Sequence, residues 1–148
     1  MLIILGSDHA AFSAKEALKA FIQQKNQDQV EDVGTFAEAS CHYPLFAQKV
    51  CTRLKAQPEA FGVLLCGTGI GMSMVANRYA HIRAALCQHP SEARLAREHN
   101  NANVLCLGAR ILTIEQITAI FTAFREGSFA GGRHQERLDL FASLGEKI

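Results

Sequence analysis

Five short, largely apolar runs alternate along this chain with stretches whose apolar residues recur at helical spacing, and that alternation admits few folds. The runs cover residues 2–5, 29–33, 62–66, 83–87 and 103–107. Between them, residues 14–25 carry Leu18, Phe21 and Ile22 on one helical face, and 45–55, 71–77 and 91–99 read as further helices. A fifth helix opens at Thr113 and a last one is expected over 135–144. Ser13 with Glu16, and Thr113 with Gln116, have the spacing of capping boxes. Strands without a polar face, separated by helices, imply a parallel sheet covered on both sides. The expected architecture is a three-layer, doubly wound α/β/α sandwich around a five-stranded parallel sheet.

No linker, charge block or repeat divides the chain, so residues 1–148 are expected to form one domain. A chain of 148 residues can bury roughly 70% of its extended surface and needs no disulfide or metal to hold it. With 49% hydrophobic and 20% charged residues it lacks the signature of disorder. Fifteen Lys and Arg against fourteen Asp and Glu leave a net charge of +1, which argues against a nucleic-acid partner. The apolar runs are too short for a membrane span, and the first residues, MLIILGSDH, lack a signal peptide's basic segment and cleavage site. A cytoplasmic location is expected. The five cysteines (41, 51, 66, 87, 106) form no CxxC pair, as expected of reduced thiols.

In open α/β sheets ligands bind beyond the carboxyl ends of the strands. That rule selects Asp8-His9, Gly34-Thr35, the segment from Cys66 to Gly71, and Gly108 to Arg110. Cys66-Gly67-Thr68-Gly69-Ile70-Gly71 follows a strand and opens a helix, so its backbone N–H groups can converge on an anion. The spacing is not that of a dinucleotide fingerprint or a Walker A loop, and Met72 stands where a phosphatase-type loop would need an arginine. Cys66 thus reads as a base or nucleophile whose thiolate is favoured by its position, against the alternative of a buried strand cysteine beside a tight turn. Asp8 and His9 are suited either to hydrogen-bonding a polyhydroxy ligand or to turn and capping roles. The six histidines (9, 42, 81, 89, 99, 134) show no metal-ligand spacing, and no metal is expected. His99-Asn100 closes a helix, where a cation is also simply favoured. Arg133 and Arg137, four apart after Gly131-Gly132, suit a phosphate; the alternative is a solvated face paired with Glu136 or Asp139. Residues 126–132 are expected to form a functional loop, and Arg110 is a third candidate cation.

Taken together, these residues resemble the ribose-5-phosphate isomerase B family, within the wider group that includes the galactose-6-phosphate isomerase subunits. The resemblance rests on Gly6-Ser7-Asp8-His9-Ala10, Asp32-Val33-Gly34-Thr35, Tyr43-Pro44, the Cys66 to Gly71 segment, Ala76-Asn77-Arg78, Ile82-Arg83-Ala84, His99-Asn100, Asn103-Val104-Leu105 and the run from Gly131 to Arg137. It implies a Rossmann-like fold and cofactor-free aldose–ketose isomerisation of ribose 5-phosphate and ribulose 5-phosphate, a step of the pentose phosphate pathway. It further implies Cys66 as the base, His99 as the proton donor that opens the ring, with His134 as the alternative, and Thr68 beside the reacting oxygen. Asp8, His9, Tyr43, Gly67, Gly69, Ile70, Gly71, Asn100 and His134 would contact the substrate, and Arg110, Arg133 and Arg137 its phosphate side. The family shares its sites across a homodimer, to which the last helix contributes; dimers, or tetramers built from them, are both expected assemblies. Ala11 stands where glycine is common, and His42 where aspartate is usual. A hexose-6-phosphate isomerase and a non-catalytic sugar-phosphate sensor are the competing functions.

Overall fold

The structure, a computed structural model, describes residues 1–25 and 28–144; the end of the expected 1–148 unit lies outside them. The five expected strands form one sheet: β1 (Leu2–Ser7), β2 (Gln29–Asp32), β3 (Phe61–Cys66), β4 (Ala84–Leu86) and β5 (Val104–Gly108). All are parallel, in the order β2-β1-β3-β5-β4. The helices are α1 (Phe12–Gln24), α2 (Tyr43–Ala56), α3 (Ile70–Ala76), α4 (Pro90–Asn100), α5 (Ile114–Glu126) and α6 (Arg133–Asp139).

Strand order decides which face each helix covers. The steps from β1 to β2 and from β4 to β5 run one way along the sheet, whereas β2 to β3 and β3 to β4 run the other way. Twisted parallel strands accept right-handed crossovers, so steps of opposite sense put their helices on opposite faces. α1 and α4 accordingly share a layer with α5, where Leu18, Ile22, Ala93, Ile117, Ile120 and Phe124 pack on Ile3, Leu5, Val63, Leu65, Leu105 and Leu107. α2 and α3 form the other layer, where Val50, Leu54, Met72 and Ala76 pack on Ile4, Leu64, Cys66 and Cys106. Successive strand residues alternate between the two cores, which is why these strands have no polar face. The expected three-layer sandwich is borne out.

Three local expectations change. Ser13 and Glu16 do not form a capping box: Asp8 supplies the cap one turn earlier, its Oδ1 accepting from Ala11 N at 3.2 Å over a 3₁₀ turn, His9–Ala11, that runs straight into α1. The Ser13 hydroxyl donates instead to Glu38 at 3.4 Å. The strand expected over 83–87 is only Ala84–Leu86, at the sheet edge. The last helix starts two residues early, at Arg133, and passes at Leu140 into a 3₁₀ turn, Leu140–Ser143. The capping box of Thr113 and Gln116 forms as expected, with N–H···O distances of 3.3 and 2.8 Å. No helix among the described residues is long and apolar enough to cross a membrane.

The carboxyl ends of β1 and β2 are tied by a buried charge cluster that the sequence did not announce. Lys15, on the inner face of α1, is fully buried and donates to Asp32, and to Glu16 at 2.7 Å. Asp32 also receives Lys19 at 2.9 Å, and its Oδ1 accepts from Gly34 N at 2.9 Å. Gly34 O and Thr35 N in turn bond Ser7 N and O at 2.7 and 2.8 Å, fixing the backbone immediately before Asp8. Burial alone would push the Asp32 carboxyl up, but the hydrogen bonds from Lys15, Lys19 and Gly34 hold it below the usual carboxylate range. A depressed carboxyl stabilises the fold above its unfolded value and loses that contribution as pH falls. Asp32→Asn is expected to cost about 3–5 kcal/mol in urea unfolding at pH 7. The difference from the parent should begin to shrink as pH drops below about 4, where the carboxyl of the unfolded chain protonates, and should go on shrinking until the depressed carboxyl of the folded parent protonates in turn.

Candidate active site

β1 and β3 are neighbours whose following segments leave toward opposite sides of the sheet, so a crevice opens beyond their carboxyl ends. Asp8 and Cys66 occupy that crevice, one after β1 and the other at the end of β3. Cys66 is 5% exposed, and its Sγ accepts a hydrogen bond from Gly69 N at 3.1 Å. That bond closes the loop over the sulfur and requires Gly69 at φ 79°, a conformation that favours glycine. Thr68 is exposed at the loop tip, its Oγ1 accepting from Ile70 N at 3.3 Å. The loop is seated on the end of β5 by bonds from Ala109 N to Cys66 O and from Arg110 N to Gly67 O, both 2.9 Å.

Two side chains close round this loop, and His9 is held beside Asp8. Arg110 lies across Gly67, where a Cβ would sit 3.3 Å from the Arg110 Cδ. The Tyr43 ring, at the start of α2, rests on Gly71 so closely that a Cβ there would come within 2.7 Å of its Cζ. His9 accepts the Cys41 N–H at Nδ1, 3.2 Å away, which leaves its Nε2 as the donor. Asp8 is 7% exposed and takes the capping role through one oxygen, leaving the other free for a ligand. Ala11, with φ negative in the 3₁₀ turn, loses nothing by not being glycine.

A second cluster lies elsewhere. α4 runs back against the strands, so His99 and Asn100 at its end lie near the amino ends of β3, β4 and β5. The loop after α5 is tied there by Ala130 N donating to Glu98 O at 3.0 Å, and Gly131 and Gly132, both at positive φ, turn the chain into α6. His134 then stacks on His99, with ring centroids 4.3 Å apart and planes 8° apart. Burial, followed by the neighbouring His99, Arg133 and Arg137, holds the His134 imidazole below its ordinary value. Arg133 and Arg137 are exposed, and among the described residues neither pairs with Glu136, Asp139 or any other carboxylate. Asp139 is engaged by Gln135 at 2.6 Å.

The expected site residues therefore fall into two groups. Asp8, His9, Tyr43, Cys66, Gly67, Thr68, Gly69, Ile70, Gly71 and Arg110 meet at the carboxyl ends of the strands; His99, Asn100, Arg133, His134 and Arg137 meet at the opposite end. The six residues of β3 alone separate the two by roughly 17 Å. Cys66 also belongs to the α2/α3 core, whereas α4 lies in the other layer. Sequence reading missed Lys15 and Arg97, which are charged residues at core-facing helical positions. The signal was their phase: Lys15 falls between Ala14 and Leu18, and Arg97 lies four residues after Ala93. Among the described residues no group of three or more His, Cys, Asp or Glu is placed to hold a metal ion.

An all-parallel α/β sheet that presents a thiol in a glycine-rich loop at the carboxyl ends of its strands is a framework suited to an anionic ligand. Residues 3–141 match the family model described as Ribose/Galactose Isomerase. The ribose-5-phosphate isomerase B of Escherichia coli (strain K12) is 34% identical over 145 residues, 98% of this chain and 97% of the relative. A crystal structure of a ribose 5-phosphate isomerase from Thermotoga maritima superposes with a TM-score of 0.92 at 48% identity, covering 97% of this chain and 98% of that one. The ribose-5-phosphate isomerase B of Mycoplasma genitalium, solved with bound ribulose-5-phosphate, gives 0.89 at 38% identity over 93% of this chain and 91% of that one. The chain belongs to the ribose/galactose isomerase family.

The thiols should differ in reactivity. Burial pushes Cys51 up to about 12, burial with nearby Glu92 does the same to Cys87, and burial pushes Cys106 well up. Iodoacetamide labelling at pH 7.5, followed by peptide mass spectrometry, should find Cys66 modified ahead of these three. Equal rates would remove the case for a reactive loop thiol.

Proposed function

We propose that the protein is an aldose–ketose isomerase interconverting ribose 5-phosphate and ribulose 5-phosphate, with residues 1–148 as one catalytic unit. The observation that carries this reading is the Cys66 sulfur, held by the Gly69 N–H inside the loop of a family whose members isomerise sugar phosphates. Isomerisation moves a proton between C2 and C1 while charge develops on the carbonyl oxygen. Cys66 takes the proton from one carbon and returns it to the other through an enediolate. The Thr68 hydroxyl and the loop amides not already engaged, those of Gly67, Thr68 and Gly71, face the developing oxyanion, a contribution of about 3–4 kcal/mol per donor in comparable sites. Asp8, His9 and Tyr43 hold the sugar hydroxyls, with Ile70 covering the reacting end. His99, stacked on His134 and next to Asn100, supplies the proton that opens the furanose ring, and Arg110, Arg133 and Arg137 hold the phosphate.

These residues can act together only if a second copy brings its His99 cluster to the Cys66 crevice. The separation within one chain, by both end and layer of the sheet, supports a homodimer with two shared sites. Exposed Tyr43, Leu45, Ile70 and Met74, all beside the crevice on α2 and α3, give it an apolar rim for such a partner.

Proton NMR of ribose 5-phosphate with the purified protein in D2O should show ribulose 5-phosphate carrying solvent deuterium. Turnover confined to a six-carbon phosphate would reassign the substrate, and binding without turnover would make the protein a sensor. Cys66→Ala should lose turnover by about 10²–10⁴-fold while still binding the sugar phosphate. Co-expressed Cys66→Ala and His99→Gln chains, each inactive alone, should recover up to about a quarter of wild-type activity, since half of randomly paired dimers carry one intact site. No recovery in verified mixed dimers would place both residues in one subunit's site.

A further inference from the structure

The last turn of α4 is gripped by two guanidinium groups to which the mechanism above gives no work. Arg97 is 9% exposed, with its guanidinium carbon 4.3 Å from the centre of the Phe61 ring and 5.7 Å from that of Phe124. Its Nη1 donates to Asn101 Oδ1 at 3.0 Å and to Ala102 O at 2.6 Å, while its buried Nε has no acceptor. Arg83, half-buried just before β4, donates from Nε to the Asn101 carbonyl at 2.8 Å. Among the described residues neither pairs with a carboxylate. Burial, with Arg83 adding to it at Arg97, holds both guanidinium groups below their ordinary value.

Burying cations without counter-charge is unfavourable, and a helix can end on a glycine with no such arrangement. What the two arginines hold is Asn101, a non-glycine residue in the left-handed conformation at φ 44° and ψ 41°. It directly follows His99 and Asn100, so the direction of both side chains depends on where and how α4 stops. Among the described residues the ring of His99 is otherwise braced by its stack on His134 of α6, and the loop leading to α6 bonds the α4 backbone at Glu98.

We infer that Arg97 and Arg83 are positioning residues for ring opening: by clamping the Asn101 turn they aim the His99 imidazole at the ring oxygen of the cyclic sugar. The inference rests on the reading of His99 as the ring-opening group. In that step the bond between C1 and the ring oxygen breaks; the imidazole takes the proton of the anomeric hydroxyl and supplies one to the ring oxygen, leaving an open-chain aldehyde. A displacement of the imidazole by a fraction of the hydrogen-bond length slows this transfer and leaves the Cys66 crevice untouched.

Two substrates separate the steps. Ribose 5-phosphate is a cyclic sugar that must be opened. Ribulose 5-phosphate has its C5 hydroxyl esterified, so it cannot close a five-membered ring on C2 and is open-chain. Cys66 can take a C1 proton from it, exchange that proton with D2O and return a deuteron without any ring opening. Arg97→Met, which keeps an apolar stem on Phe61, should lower kcat for ribose 5-phosphate by about 10- to 100-fold, with C1 exchange of ribulose 5-phosphate within about twofold of wild type. Asn101→Gly, which permits the same turn without the Oδ1 acceptor, should move the same way by about three- to tenfold, and it decides the matter if Arg97→Met does not fold. A parallel fall in both reactions makes the clamp merely structural, and no fall in either removes it; both outcomes overturn the inference. His99→Gln run alongside tests the underlying reading: a variant with normal ribose 5-phosphate turnover refutes His99 itself, whereas loss in His99→Gln with normal turnover in Arg97→Met refutes the clamp alone.

Discussion

The parallel direction of all five strands is the constraint from which the rest of this molecule follows. Parallel neighbours cannot be joined by a tight turn, so each connection must carry the chain back along the sheet, and here every one of those returns contains a helix. A helix after a strand begins at the carboxyl edge and finishes at the amino edge. Residues at strand ends and helix starts, such as Asp8, Cys66 and Tyr43, are thereby gathered on one side of the molecule. Residues at helix ends, such as His99 and Asn100, are sent to the other. The handedness of the crossovers adds a second separation, since it assigns α3 and α4 to different layers. A chain built this way presents two residue clusters facing apart, and in the proposed reading symmetry between copies is what joins them.

Both clusters are braced by buried cations, in two different ways. At the carboxyl edge Lys15 is neutralised by Asp32 and Glu16, and the cluster fixes the turn that supports Ser7 and Asp8. At the amino edge Arg97 lies on two aromatic rings and bonds only neutral oxygens. Arginine tolerates that environment better than lysine would, because its charge is delocalised, its plane stacks and it is weakly hydrated. Among the described residues Arg97 and Arg83 have no carboxylate partner, so no buried acid beside them diminishes the positive field of Arg133 and Arg137.

Much of this was readable from residue order. The continuous apolar runs gave away buried strands, and Thr113 with Gln116 marked a helix start that formed as expected. Other readings failed for identifiable reasons. Ser13 and Glu16 have the right spacing for a cap, but Asp8 had already turned the chain and Glu16 is engaged by Lys15 and Lys19. The edge strand β4 is shorter than its apolar run because it has a single neighbour, β5, to pair with. Lys15 and Arg97 were overlooked because a charged residue in a helix reads as solvent-facing unless its phase is followed.

Local chemistry and periodicity were enough to define the strands, the glycine loop after β3 and the residue types of both clusters, because each depends on neighbours a few positions apart in the chain. Strand order was decided by tertiary structure: nothing local tells β3 to pair with β5 and leave β4 at the edge, since that choice depends on which apolar surfaces fit across the whole sheet. The same holds for the distance between Cys66 and His99. Both lie in motifs that sequence can find, but only the packed sheet puts them at opposite ends of it, because direction in space follows from strand pairing and crossover hand rather than from spacing along the chain.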